Sequence, residues 1–137
     1  MLPNASASAA SAFATITVNE TSTSATYGDL ATPGPSVTVT TGTKALVAIG
    51  GLITTSVGGE LVLASYAVSG ATTVAASDSR AVGGYVSGIN APQFHAGNTF
   101  VVTGLTAGSN VFTMKYRRTG GTASFNQRTI SVVDLGS

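Results

Sequence analysis

Cysteine and tryptophan are both absent from this chain of 137 residues, and histidine occurs once. The lack of cysteine excludes disulfide bonds and thiolate zinc sites. No apolar run reaches the roughly 20 residues that a membrane-spanning helix needs. Only 8% of the residues are charged, against about 25% in a typical globular domain. We therefore expect neither a membrane nor a nucleic acid as partner, since the latter requires many basic groups.

The chain is instead rich in hydroxyl groups, with 37 Ser and Thr residues beside a hydrophobic share of 43%. A formal net charge of +1 provides almost no repulsion between molecules. A free monomer usually carries more lysine and glutamate on its surface. The composition therefore predicts a protein that works in an assembly, as a homo-oligomer, docked on a larger object, or both.

The first residues differ in composition from the rest. Residues 3–12 are almost all alanine and serine and have no periodic apolar face, which is typical of an arm that something else must hold in place. Strand-like alternation begins only near Phe13. We predict an N-terminal docking arm over residues 1–25, which includes the first strand, and a sandwich domain over residues 26–137. Leu2, Pro3 and Phe13 are the apolar residues with which the arm would bind.

Short runs of period-2 alternation fill the remainder, with turn residues every 8 to 12 positions and no helical periodicity. The run from Lys44 to Thr55 is almost continuously apolar and contains Gly50 and Gly51, which predicts a central strand with a bulge or a close approach of another backbone. Shorter strands are predicted over residues 72–76 and 80–86. Eight to ten such strands indicate an all-β fold, an antiparallel β-sandwich or jelly roll.

The clearest alternation lies near the C-terminus. Phe112, Met114 and Tyr116 fall on one face of a predicted strand, and the residues between them fall on the other. Gly120 and Gly121 then turn the chain into a second strand over residues 123–133. The spacing predicts a terminal β-hairpin in which the two strands pair with each other.

Four of the six basic residues lie on or near this hairpin: Lys115, Arg117, Arg118 and Arg128. If the strands pair, these side chains form a small basic patch. Three roles are open for them. They are solvated strand residues or partners for Glu20 and Asp134, they contact another subunit or a capsid, or they bind an anionic glycan.

Residues able to carry chemistry are scattered. His95 lies in a predicted loop over residues 87–98, without a second histidine that could complete a zinc site. The five acidic residues are isolated, and their spacing matches neither a calcium loop nor a glycosidase pair. We expect no catalytic residue, metal or cofactor.

Seven segments carry a family resemblance, and they follow one another in this order: Tyr27 to Thr32, Pro35 to Val47, Tyr66 to Thr73, Ser77 to Ala81, Gly104 to Arg117, Gly120 to Phe125, and Arg128 to Ile130. Together they resemble β-sandwich domains of bacteriophage virion proteins, especially minor tail and fibre proteins of phages that infect actinobacteria, and capsid decoration proteins. The resemblance covers roughly residues 24 to 135.

The resemblance implies a non-enzymatic structural protein located in the virion. Because the chain begins at Met1 with only a short arm, it is most similar to a capsid decoration or minor capsid protein, with the major capsid protein or another virion protein as partner. Similar jelly rolls commonly form trimers, so a homotrimer is implied. The alternative is a tail-fibre or adhesin tip that binds a host cell-surface glycan through loops such as residues 87–98. A carbohydrate-active enzyme is a third and weaker interpretation.

Overall fold

The computed structural model describes residues 9–86 and 93–137, and these form nine strands and one turn of 3-10 helix at Asp78–Arg80. The strands are β1 (Ser11–Ile16), β2 (Glu20–Ser22), β3 (Ser36–Thr41), β4 (Lys44–Thr55), β5 (Glu60–Gly70), β6 (Val82–Val86), β7 (Phe94–Val102), β8 (Gly108–Arg118) and β9 (Ala123–Gly136).

Two antiparallel sheets pack face to face. One has the order β1-β9-β4-β7, with β2 also paired to β9, and the other has the order β3-β8-β5-β6. Each strand directs alternate side chains into the space between the sheets. The predicted class, an antiparallel sandwich of eight to ten strands, is confirmed.

The core contains the side chains that the C-terminal alternation placed inward. Phe112, Met114 and Tyr116 of β8 are fully buried. Phe125 of β9 faces them from the other sheet, and its ring centroid lies 4.8 Å from that of Tyr116. The predicted faces of β8 are therefore correct.

The predicted terminal hairpin is wrong. β8 pairs with β3 and β5 in the four-stranded sheet, whereas β9 pairs with β1, β2 and β4 in the other. The connection through Gly120 and Gly121 crosses from one sheet to the other. Alternation shows which face of a strand is buried, but it does not show which strand lies beside it, so two strands joined by a short turn can face each other across a core.

The predicted central strand with a bulge is confirmed in β4. This strand lies between β9 and β7, and its register against β9 shifts between Gly50 and Leu52. On β9 the same irregularity includes Gln127, which has a φ of 48°. The bulge changes which positions face inward, so Phe125 and Arg128 both point into the sandwich although they are three residues apart.

Two other predictions need correction. Residues 72–76 form no strand, because only Val74 forms a bridge, with Val68 of β5. The predicted loop over residues 87–98 is too long. Residues 87–92 lie outside the described residues, but β7 begins at Phe94, and its alternate residues Phe94 and Ala96 pack against the core. His95 therefore lies on a strand.

The N-terminal segment is part of the larger sheet from Ser11 onward. β1 pairs with β9 over Ser11–Ile16, and β2 pairs with β9 over Glu20–Ser22. Ala12 and Ala14 pack on the core from this edge. The division into a docking arm up to residue 25 and a sandwich from residue 26 stays a prediction.

Candidate assembly surfaces

The four predicted patch residues do not lie together. Lys115 and Arg117 are on the outer face of β8, Arg118 is at the end of that strand in the inward-facing set, and Arg128 is between the two sheets. Each is bonded within the chain. Lys115 Nζ lies 2.6 Å from Asp29 Oδ1, and the Arg118 guanidinium donates to the carbonyl oxygen of Thr23. The interpretation as a single basic patch is therefore wrong.

Arg128 is fully buried and ties the N-terminal segment to the core. Its Nη2 donates to Glu20 Oε1 at 2.6 Å, and its Nη1 donates to the carbonyl oxygens of Thr32 and Gly34 at 3.2 and 3.0 Å. The guanidinium also lies 5.3 Å from the ring centroid of Tyr116. An arginine enclosed in this way is closed to a partner, so the predicted contact role of Arg128 is incorrect and the alternative, pairing with Glu20, is confirmed.

Glu20 is also held by Thr32. The backbone N–H and the hydroxyl of Thr32 both donate to its carboxylate. Desolvation, the largest influence, raises the pKa of Glu20, but these hydrogen bonds and the Arg128 charge together hold that pKa below its ordinary value. Burial raises the pKa of Tyr116 to about 12, so its hydroxyl stays protonated and donates to the Gly34 carbonyl oxygen at 2.7 Å. The cluster is a structural clamp made of charged and polar groups.

A second cluster joins Tyr27, Asp78 and Arg117 on the outer face of the four-stranded sheet. Arg117 donates to both oxygens of Asp78, at 3.0 Å from Nε and 2.6 Å from Nη2. The Tyr27 hydroxyl donates to Asp78 Oδ1 at 2.8 Å. The hydrogen bond from Arg117, followed by that from Tyr27, lowers the pKa of Asp78. Asp134 was predicted to pair with a basic residue. Its carboxylate instead accepts hydrogen bonds from the backbone N–H groups of Gly42 and Gly136.

No group of three or more metal-ligating side chains occurs within residues 9–86 and 93–137. His95 is exposed on the outer face of β7. Beside it a cleft separates the edges of β6 and β7, lined by Ala81, Val82, Gly83, Phe94, His95, Ala96, Gly97 and Asn98. Tyr85, on β6, is 74% exposed.

The outer face of the larger sheet carries no charge over its central part. Four strands contribute to three cross-strand rows, which we call the uncharged face. The rows are Ser11, Val133, Leu46 and Val101, then Phe13, Ser131, Ala48 and Thr99, then Thr15, Thr129, Gly50 and Gly97. By contrast, Lys115, Arg117 and their acidic partners lie on the opposite side of the sandwich. Sequence reasoning missed this face because its rows depend on register, although the continuous apolar run of β4 was a signal of it.

Phe13 projects from this face at its β1 edge. It is 79% exposed, and Val101 at the β7 edge is 65% exposed. In the row next to Phe13, the neighbouring positions Gly50 and Gly97 have no side chain. Of the predicted docking residues, Leu2 and Pro3 lie outside the described residues, so only Phe13 has a described environment.

No family model matches the chain, and no curated protein sequence matches it. Solved structures do. The Eiger TNF of S. frugiperda superposes with a TM-score of 0.64 at 12% identity over 96% of this chain and 95% of that one. The VP2 subviral particle of infectious bursal disease virus gives a TM-score of 0.64 at 16% identity over 92% of this chain. The chain is a jelly roll.

Identities this low establish the fold alone. The jelly roll described here spans about a third of the length of the viral chains that it matches. The share is 33% for the VP2 subviral particle and 32% for the T=1 particles derived from infectious bursal virus, whose TM-score is 0.60. Within the described residues, none of the helical segments has the length and apolar character needed to cross a membrane.

Proposed function

We propose that this chain is a non-enzymatic structural protein of a bacteriophage virion, a decoration or minor capsid protein that binds the shell and stabilises it as a homotrimer. The observation that carries the proposal is the uncharged face, an exposed sheet surface with Phe13 and Val101 protruding and no charged side chain in its three rows. A fold that is also found in viral capsid chains adds support.

The proposed mechanism is the burial of apolar surface. A specific interface covers about 1,000 Å² or more. Each bound trimer would bury about that much surface against neighbouring capsid subunits and so would hold those subunits together. The N-terminal arm, including Leu2 and Pro3, is the proposed contact with the major capsid protein. The sandwich would then project outward from the shell.

The use of the ionisable groups supports a role without catalysis. Glu20, Asp78 and Asp134 are each committed to two or more hydrogen bonds within the chain. A general acid or base must lie within hydrogen-bond reach of the substrate proton that it transfers. These carboxylates instead hold loops and strands together.

A tail-fibre or adhesin tip is the second candidate, and Tyr85 favours it. This ring is 74% exposed on β6, one of the two strands that border the cleft, and exposed aromatic rings are suited to packing against sugar rings. In this alternative the partner is a host cell-surface glycan, and the protein lies on the tail.

The number of copies per virion separates the two candidates. We expect quantitative mass spectrometry of purified virions to find hundreds of copies of this chain for a decoration protein and only a handful for a fibre. Cryo-electron microscopy of virions with a labelled chain should place the label over the capsid. Absence of the chain from purified virions would overturn both.

A further inference from the structure

Strand β4 has apolar residues on both faces, but only its inward face is fully covered. Its inward side chains, such as Val47 and Ile53, are fully buried, whereas its outward Leu46 and Leu52 remain partly exposed. Strands that are apolar on both faces usually have both faces covered. Residues 9–86 and 93–137 leave the second face of β4 partly uncovered.

We propose that a second copy of this chain covers it, with Phe13 of one copy packing onto the flat surface at the exposed Gly97 of the next, beside the buried Gly50. The inference rests on the proposed homotrimer and names its contact. It assigns Phe13 to a neighbouring copy and leaves the shell contact to residues such as Leu2 and Pro3.

Charge favours an identical copy as the occupant. Bringing the same surface together twice doubles every charge on it, and like charges in contact are unfavourable. The uncharged face avoids this cost, because its twelve positions include no Asp, Glu, Lys or Arg. Lys44, at the start of β4, lies beyond the rows.

The size of the face is adequate for the centre of a contact. Four strands at about 4.8 Å spacing and three rows about 6.8 Å apart give a footprint of roughly 400 Å². Five of its twelve positions are Ser or Thr, so the apolar part of the face is smaller than this footprint. An ordinary stable interface covers about 800 Å² per partner, so the flanks of the edge strands must also take part.

The positions of the two features favour a head-to-tail contact. Phe13 lies on the β1 edge and Gly97 on the β7 edge, three strand spacings or about 14 Å apart. A contact between unlike patches can close into a ring, as the proposed trimer requires. A dimer of two reciprocal contacts uses the same residues, so the measured mass decides between the two.

Gly97 has no backbone reason to be glycine. Its φ lies outside the left-handed region, and an added Cβ would lie 3.4 Å from the carbonyl oxygen of Ile49 and 3.9 Å from the Cα of Gly50, which are ordinary contacts. Alanine should therefore fit the folded chain at this position. A missing side chain that the fold does not need is consistent with a surface that must stay flat for a partner.

The first experiment is sedimentation equilibrium of the full chain from about 1 to 100 µM. We expect the wild type to have the mass of a trimer. Phe13→Ala should raise the dissociation constant of a contact by about thirtyfold or more, the effect of losing an interface hot spot, and Gly97→Ala by about fivefold or more through overpacking. The matched controls are Tyr85→Ala, an equally exposed aromatic on the other sheet, and Gly84→Ala, where an added Cβ meets nothing within 4 Å. Neither control should change the mass.

The second experiment uses the lack of cysteine in the chain. Phe13→Cys and Gly97→Cys are prepared separately, mixed and oxidised. The proposed contact brings these two positions together, so a disulfide between the two variants should form. A bridge requires Cα atoms within about 7 Å, so its formation would show that the two positions approach each other. The control mixture of Phe13→Cys with Gly84→Cys should not crosslink. Circular dichroism of every variant confirms that it is folded.

A wild type that stays monomeric at 100 µM, or variants that keep the wild-type mass and do not crosslink, would overturn the inference. So would a Phe13→Ala protein that keeps its mass but no longer attaches to virions, because Phe13 would then contact the shell. A dimer with the expected crosslink would support the contact and overturn the trimer. The copy number in virions tests the proposed function separately from all of these results.

Discussion

Replacing Phe112 with alanine tests the packing of the sandwich most sharply. Phe112 is fully buried on β8, between Val37 of β3 and Val68 of β5, and its ring centroid lies 6.3 Å from that of Tyr66. Removing the ring forfeits a transfer free energy of roughly 2 kcal/mol. The cavity that remains brings the expected loss of unfolding free energy to about 3 to 5 kcal/mol, a large part of the roughly 5 to 15 kcal/mol available to a domain.

Thr113→Ala is the matched control, because it changes the next residue on the same strand. Thr113 faces outward and accepts a hydrogen bond from the Ser36 hydroxyl at 2.7 Å. Losing a partly exposed hydrogen bond and some strand propensity should cost no more than about 1 kcal/mol. For a chain of this length, we expect Phe112→Ala to lower the Tm by roughly 10 to 15 °C and Thr113→Ala by about 3 °C or less.

The assay is thermal unfolding followed by circular dichroism, at one fixed protein concentration because association shifts the Tm. Urea unfolding provides the free energies independently. Equal losses from the two substitutions would refute the assigned faces of β8 and would mean that both sides of the strand are covered. Indifference to both would refute the strand itself.

Three further predictions concern the clusters and the arm. Arg128→Met should lower the Tm far more than Lys115→Met, because it removes the buried donor to Glu20 and to two loop carbonyls, whereas the Lys115 ion pair is exposed to solvent; similar melting of the two variants would contradict the clamp. The lowered pKa of Asp78 means that its contribution is complete above the unfolded pKa near 4 and is lost as the pH falls through the folded value. Asp78→Asn should therefore flatten the fall in Tm below about pH 4, and an unchanged acid profile would show that the Asp78 cluster does not contribute. Deleting residues 2–9, which end before β1, should leave the Tm nearly unchanged and abolish attachment to virions. Attachment by the shortened protein would show that residues 2–9 are not the dock.

Local pattern was enough to predict the fold class and the buried side of single strands. Phe112, Met114 and Tyr116 alternate without interruption, so their common face is visible in the sequence. The partner of each strand is a different matter, because β9 pairs with β1 and β4, which lie far away in the chain. A short glycine turn favours a hairpin locally, and only the packing of the whole sandwich decides that the chain crosses to the other sheet.

The candidate surfaces could be predicted only in part, because they too depend on which distant strands pair. Arg128 was predicted to join a surface basic patch, but it is buried, and the pairing that offsets its charge comes from Glu20, more than a hundred residues earlier. The uncharged face becomes visible only when register aligns Leu46 with Val133 and Val101. The apolar run of β4 was a signal of such a face in the sequence, but no prediction of the face was drawn from it.

The most direct test of the account is reconstitution of the shell. Capsids of the phage that we propose encodes this chain, assembled without it, would be incubated with the purified protein and recovered by sedimentation, and the bound copies would be counted. The account predicts saturable binding of hundreds of copies per particle and a higher temperature of capsid disruption, since each bound oligomer adds contacts between capsid subunits. Failure of the folded protein to bind, or binding that leaves the disruption temperature unchanged, would contradict it.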